Sequence, residues 1–329
     1  MEAILAVTVP FFALVLCGYL AARSRVLPEA AIPGLNAYVL FFALPCLLFR
    51  FGSSMPFAQL IDPVLVGIYA ACALLMVFFT VAATLKRAEG GAGVDMKNAA
   101  FSALVAAFPN TGFMGVPLLV ALLGERAAGP LISTVLIDLI LTSTLCIALA
   151  QSPQHLGARD GGRGSMSASA LRSLRGALTN PLPWAIAVGA VVAGLQLQLP
   201  GPLAQVVKML ADSATPVALF AIGAVLWRAG QHAHTATKVA DYLPAALIKL
   251  FVHPALVGGT GLALRAIGVD VPTFGLTMLV LAAALPSASN VSLLAERYGA
   301  DNGRVARIIM ASTVLAFASF SGIASFMRP

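Results

Sequence analysis

Three sets of polar residues stand out in an otherwise apolar chain. Asn110, Thr111 and Gly112 lie between Pro109 and Pro117, and Ser287, Ser289 and Asn290 follow Pro286. The third set is dispersed: Lys249 with His253 four residues on, and Asp138. Amides and hydroxyls of the first two sets can donate hydrogen bonds to an anion, and an Asn can also accept from a distorted backbone. Where one helix stops and another starts, the new helix presents orphan N–H groups with partial positive charge, so an anion can be held without burying a cation. The chemistry expected is anion binding by neutral donors, with Asn110 and Asn290 foremost. The competing reading is that these side chains merely mend the backbone that proline disrupts. Lys249 could act as a counter-charge or exchange a proton, together with His253 on the same helix face, and Asp138 is the best acidic candidate for a proton or cation site. The alternative for Lys249 is a structural ion pair with Asp138 or Asp212. His232 and His234 have metal-like spacing but no further ligands, so no metal is expected, and no cofactor. No nucleophile sits near a base, so the chain does not read as an enzyme.

These residues must be positioned by spans in a membrane. Of 329 residues, 60% are hydrophobic and 10% charged, against about 45–50% and 25% in an ordinary soluble domain. Apolar runs near the ~20 residues needed to cross a ~30 Å hydrocarbon core recur throughout. Ten are expected: 3–21, 34–51, 61–85, 98–123, 129–150, 181–199, 202–227, 239–264, 272–295 and 304–327. The short alternating segments of a β-barrel are missing. Only Met1 and Glu2 precede the first run, without basic residues, so that run is expected to be a helix of the mature chain and not a signal peptide. Cys17, Cys46, Cys72 and Cys146 all fall in apolar runs and read as small buried hydrophobes. The fourth and ninth runs carry the prolines of the two polar motifs, so a continuous helix is not expected there; backbone of that kind is tolerated at membrane depth only where it is buried in protein or lines a cavity.

The formal charge of +7 is unevenly placed. Loops after odd-numbered runs hold 14 Lys and Arg, the opposite side holds five, and Lys249 alone lies within a run. The bias puts the odd loops in the cytoplasm and both termini outside, and it requires no nucleic-acid partner.

Local self-similarity suggests an inverted repeat. Pro45-Cys46-Leu47-Leu48-Phe49 is answered by Pro216-Val217-Ala218-Leu219-Phe220, Leu123-Gly124-Glu125-Arg126 by Leu294-Ala295-Glu296-Arg297, and Ser133-Thr134-Val135-Leu136 by Ser312-Thr313-Val314-Leu315. All three pairs are five runs apart, an odd number, which reverses orientation. The expected fold is an all-α integral membrane protein: ten transmembrane helices in an inverted five-plus-five repeat, with discontinuous helices four and nine. Residues 1–150 would form the first repeat, 151–180 a cytoplasmic linker rich in Gly, Ser and Arg, and 181–329 the second repeat.

With these residues in hand, the chain resembles the auxin efflux carrier family, in the bacterial branch that includes malonate carriers. The resemblance rests on Phe108-Pro109-Asn110-Thr111-Gly112-Phe113-Met114-Gly115-Val116-Pro117, on Asn36 to Phe49 with Leu44-Pro45, on Lys249-Leu250 before Pro254, and on Pro286 followed by Ala295-Glu296-Arg297-Tyr298-Gly299-Ala300-Asp301. It implies crossed discontinuous helices four and nine, a scaffold of spans 1, 2, 6 and 7, and a mobile unit of spans 3 to 5 with 8 to 10. It further implies a secondary active transporter of small organic anions such as dicarboxylates, resident in a bacterial inner membrane. Proton or sodium coupling and a homodimer are left open. A sodium-coupled symporter of the bile-acid type would share the architecture but should offer clustered carboxylates for sodium; a non-transporting membrane sensor would have no use for two broken spans.

Overall fold

The computed structural model describes residues 2–54, 61–88, 94–151, 180–231 and 238–327. Among them there is no strand, and the chain is helical almost throughout. In order, the helices are α1 (Glu2–Arg23), α2 (Glu29–Ser54), α3 (Pro63–Ala88), α4 (Met96–Ala107), α5 (Thr111–Leu123), α6 (Glu125–Ala150), α7 (Pro181–Gly194), α8 (Gly201–Gln231), α9 (Val239–Ala266), α10 (Thr273–Ala283), α11 (Val291–Arg297) and α12 (Asn302–Phe326). Seven of these, α1, α2, α3, α6, α8, α9 and α12, are long and apolar enough to cross a membrane. Large apolar side chains face outward on many of them, Phe78, Met209 and Phe326 among others, as expected where the surroundings are lipid. The sixth apolar run, expected to be helical over 181–199, is helical only to Gly194; the chain turns at Leu195 and Gln196 and meets Pro200. Most of the linker at 151–180 and both His232 and His234 lie outside the described residues.

Small residues set the closest helix contacts. α1 lies along α8, and α2 along α7. A methyl group placed on Gly18 would overlap the carbonyl of Phe220, and one on Gly223 would overlap the carbonyl of Val15. In the other pair, a methyl on Gly189 would stand 2.5 Å from the carbonyl oxygen of Phe49, and one on Gly52 2.7 Å from that of Ile186. Only glycine allows backbones so near, and in a bilayer such packing, and not hydrophobicity, draws helices together. Gly18, Val15, Phe49 and Gly52 each have their counterpart 171 residues on, at Gly189, Ile186, Phe220 and Gly223. The α1–α8 and α2–α7 contacts thus use the same four positions with the halves of the chain exchanged.

Four helices contain a π turn: Val39–Ala43 in α2, Thr111–Gly115 at the start of α5, Asp138–Thr142 in α6 and Ile248–Val252 in α9. Three of them end two residues before a proline, Pro45, Pro117 and Pro254. Proline has no N–H to donate and its ring presses on the carbonyl four residues back, and the wider turn relieves both defects. Pro10, Pro216 and Pro244 lie within helices with no π turn ahead of them. In the fourth case no proline follows; the Ser143 hydroxyl donates to the carbonyl of Asp138 at 2.8 Å instead. Two of the four π turns carry the buried charges Asp138 and Lys249.

Candidate functional site

Helical geometry stops after Ala107 and after Ala283, and these two interruptions lie against each other. The amide of Asn110 donates to the carbonyl of Pro286 at 2.8 Å, and the amide of Ala288 donates to the carbonyl of Phe108 at 2.9 Å. Pro109 and Ser287 thereby form an isolated antiparallel bridge. Buried backbone groups that proline frees must find partners, and here each segment supplies them for the other. The Ser287 amide is taken by the Ser312 hydroxyl of α12 at 3.1 Å. Leu285 lies over Gly115, where a methyl group would collide with its side chain.

Apart from Ser312, several side chains at this crossing take no part in the repair among the described residues. Neither Asn110 nor Asn290 caps the helix it precedes. The hydroxyls of Thr111 and Ser287 are buried and have no hydrogen-bond partner among the described residues. Asn110 is 3% exposed, Thr111 1%, Ser287 0% and Ser289 5%. An unmet buried hydroxyl costs about 1–3 kcal/mol, so these two leave hydrogen-bonding capacity unused on the paired segments. The N–H groups of Gly112 and Phe113, at the start of α5, find no backbone acceptor among the described residues. A methyl group on Gly112 would meet nothing within 4 Å, so open space adjoins these donors. The backbone pairing brings Asn110, Thr111 and Gly112 beside Ser287, and Ser289 and Asn290 follow within three residues. Pro109 and Pro286 lie in the interruptions themselves, whereas Pro117 sits inside α5, downstream of its π turn.

The ionisable residues form a second buried cluster next to the crossing. Lys249, His253, Asp138 and Tyr69 are all 0% exposed. The Lys249 ammonium donates to the carbonyl of Ala283, the last residue of α10, at 2.6 Å, and lies 3.4 Å from Nδ1 of His253. Orphan carbonyls at a helix C-terminus attract a cation, and the lysine satisfies one of them. Asp138 accepts from the Tyr69 hydroxyl at 2.9 Å and from Thr142 at 3.2 Å. The Tyr69 ring stands 5.8 Å, centroid to centroid, from that of His253, closing a chain of contacts through α3, α6, α9 and α10. No ion pair within 4 Å joins Lys249 to a carboxylate among the described residues; Asp212 pairs instead with Arg50 at 2.9 Å and Lys208 at 2.7 Å on the surface of α8.

Three participants went unforeseen in the sequence. Tyr69 looks like any residue of an apolar run, the carbonyl of Ala283 has no signature at all, and Ser312 was visible only as part of a repeated Ser-Thr pair. A tyrosine in the middle of a spanning run, where its hydroxyl must find a buried partner, is the signal that was available.

Seven helices long and apolar enough to cross a membrane, with two helix ends paired through Pro109 and Ser287, are the frame in which the relatives of this chain are to be read. The chain belongs to the membrane transport protein family, whose sequence profile matches residues 3–324, and its relatives include an auxin efflux carrier. A protein of Rhizobium meliloti (strain 1021), provisionally named a malonate transporter, is 29% identical over 335 residues, covering 100% of this chain and 97% of that protein. The uncharacterized transporter YfdV of Escherichia coli (strain K12) is 26% identical over 94% of this chain and 92% of its own. Auxin efflux carrier component 8 of Arabidopsis thaliana is 23% identical, with 90% and 89% covered. Family and relatives alike point to membrane transport.

Proposed function

We propose that the protein is a secondary active transporter of small organic anions, and that it holds a carboxylate at the crossing of two broken spans and moves it by alternating access. The observation that carries this reading is the Pro109–Ser287 bridge, with the unpartnered Thr111 and Ser287 hydroxyls and the uncapped Asn110 beside it. Asn110, Thr111, Gly112, Ser287, Ser289 and Asn290 are its binding residues: neutral donors and the first N–H groups of α5, which suit an anion. The name of the Rhizobium relative supports a dicarboxylate.

The architecture in this reading is ten spans in two inverted halves, 1–150 and 181–329, joined by 151–180, with both termini outside the inner membrane. Counting α4 with α5 and α10 with α11 as interrupted spans gives that number. The exchange of glycine contacts between α1–α8 and α2–α7 supports a two-fold relation between the halves. These four helices would be the scaffold, and the remaining helices would carry the site across the membrane. Asp138, Lys249 and His253 would couple transport to protons. A sodium ion needs several oxygen ligands, and the Lys249 ammonium already lies against the Ala283 carbonyl, where such a cation would find one.

Uptake of labelled malonate and other carboxylates into proteoliposomes, under an imposed proton or sodium gradient, tests the reading. Saturable uptake of a dicarboxylate that responds to the proton gradient is expected. Uptake of none of a broad carboxylate panel under either gradient would refute it.

A further inference from the structure

We propose that the membrane-facing groove between α9, α10 and the end of α12 binds one anionic phospholipid, with its phosphate on Arg265 and an acyl chain along α9. The groove has a volume of about 610 Å³, well inside the ~300–1,000 Å³ of ordinary small-molecule sites. Phe251, Gly259 and Leu262 line it along α9, facing Leu276 and Val280 of α10 and Phe326 of α12. Helix α9 rises ~21 Å from Phe251 to Arg265, comparable with half of a bilayer ~40–45 Å thick with its headgroups. Glycine supplies the room: a methyl on Gly259 or Gly322 would meet nothing within 4 Å.

The mouth of the groove is cationic. Arg265 lies in the last turn of α9, where its Nε and Nη2 donate to the carbonyl of Val271 at 3.0 and 2.5 Å, and Nη2 also to the Thr273 hydroxyl at 3.1 Å. These acceptors are neutral, so they fix the guanidinium without compensating its charge. No carboxylate pairs with Arg265 among the described residues, Nη1 has no partner there, and the exposed Asp270 of the same loop pairs with no cation. A fixed, uncompensated guanidinium above an apolar groove complements a lipid phosphate, for which Arg has a matching donor geometry. A zwitterionic lipid would fill the groove equally but compensate the charge less.

The test uses the purified full-length protein, delipidated in detergent and titrated with palmitoyl-oleoyl phosphatidylglycerol or the matching phosphatidylcholine, with bound lipid counted by native mass spectrometry. The first phosphatidylglycerol should bind about tenfold more tightly than phosphatidylcholine. Arg265→Gln should erase that preference. The Gly259→Leu/Gly322→Leu double variant, whose new side chains enter open space, should remove the first site for both lipids; it decides the matter if Arg265→Gln fails to fold. Equal binding of the two lipids by the parent would overturn the proposal, as would a phosphatidylglycerol preference that survives the double variant. A dimer in the parent that the leucines dissolve while the lipid preference persists would also overturn it, assigning the groove to a second copy of the chain.

Discussion

The Lys249 ammonium lies 2.6 Å from the carbonyl oxygen of Ala283, so a residue of α9 closes the C-terminal end of the helix that stops at the second interruption. That contact ties the ionisable cluster to the crossing where the anion is proposed to bind. The cost of a lysine at the centre of a membrane helix, about 2.5–3.5 kcal/mol on insertion scales, is thereby offset in part by a helix terminus.

Two substitutions separate the lysine's charge from its hydrogen bond. Lys249→Gln keeps a donor for Ala283, whereas Lys249→Met leaves that carbonyl unmet at a cost of about 1–3 kcal/mol, against the relief of burying no cation. Both variants should insert, and the glutamine variant should unfold at the higher temperature in a thermal-shift assay. Neither should respond to an imposed pH gradient in proteoliposomes. Parental uptake by Lys249→Gln would reduce the lysine to a helix cap.

At Asp138 the same separation is available. Asp138→Asn keeps the shape of the side chain and an acceptor for Tyr69 but removes the charge, so it should fold and lose gradient-driven uptake. Tyr69→Phe removes one hydrogen bond to the carboxylate and should cost about 1.5–3 kcal/mol of stability while the fold is retained. If Asp138→Asn accumulates substrate as the parent does, the carboxylate has no part in coupling.

Gly112 and Gly115 should respond oppositely. Gly112 faces open space at the proposed site, so Gly112→Val should leave thermal stability near the parent's and weaken anion binding. Gly115 lies under Leu285 at the crossing, so Gly115→Val forces the two interruptions apart and should lower stability by about 1–3 kcal/mol, as overpacking does. Thermal unfolding measured beside binding for each variant distinguishes the two effects; equal loss of stability in both would remove Gly112 from the site.

The orientation proposed from the basic residues, with both termini outside, predicts a labelling pattern. Single cysteines in place of Ser24, after α1, and Ile267, after α9, are both exposed. In a background lacking Cys17, Cys46, Cys72 and Cys146, an impermeant thiol reagent applied to intact cells should label the Ile267 position and spare Ser24. Labelling of Ser24 from outside would reverse the topology.

Much of this was legible in the sequence because membrane insertion leaves coarse marks. Apolar runs marked out an all-helical membrane protein, of which seven helices are long and apolar enough to span, and prolines marked where helical geometry stops near Pro109 and Pro286. The interruption near Pro109 is narrower than expected, confined to 108–110, because a π turn lets the helix resume before Pro117 and absorbs that proline's missing donor. That two segments 178 residues apart would pair as a bridge through Pro109 and Ser287 could not be read from either, since backbone hydrogen bonding carries no side-chain signature. The alternative reading of Lys249, a structural ion pair, named Asp138 or Asp212 as its partner, and the structure gives the ammonium the carbonyl of Ala283, a group present at every residue.

Equilibrium binding of radiolabelled malonate to the purified protein, compared between the parent and Asn110→Ala, tests the anion site most directly, because it does not depend on conformational cycling. Loss of a hydrogen bond to a charged ligand costs about 1.5–3 kcal/mol, so Kd should rise about tenfold or more while the variant remains folded. Malonate bound by Asn110→Ala with the parent's affinity would contradict a carboxylate site at the crossing.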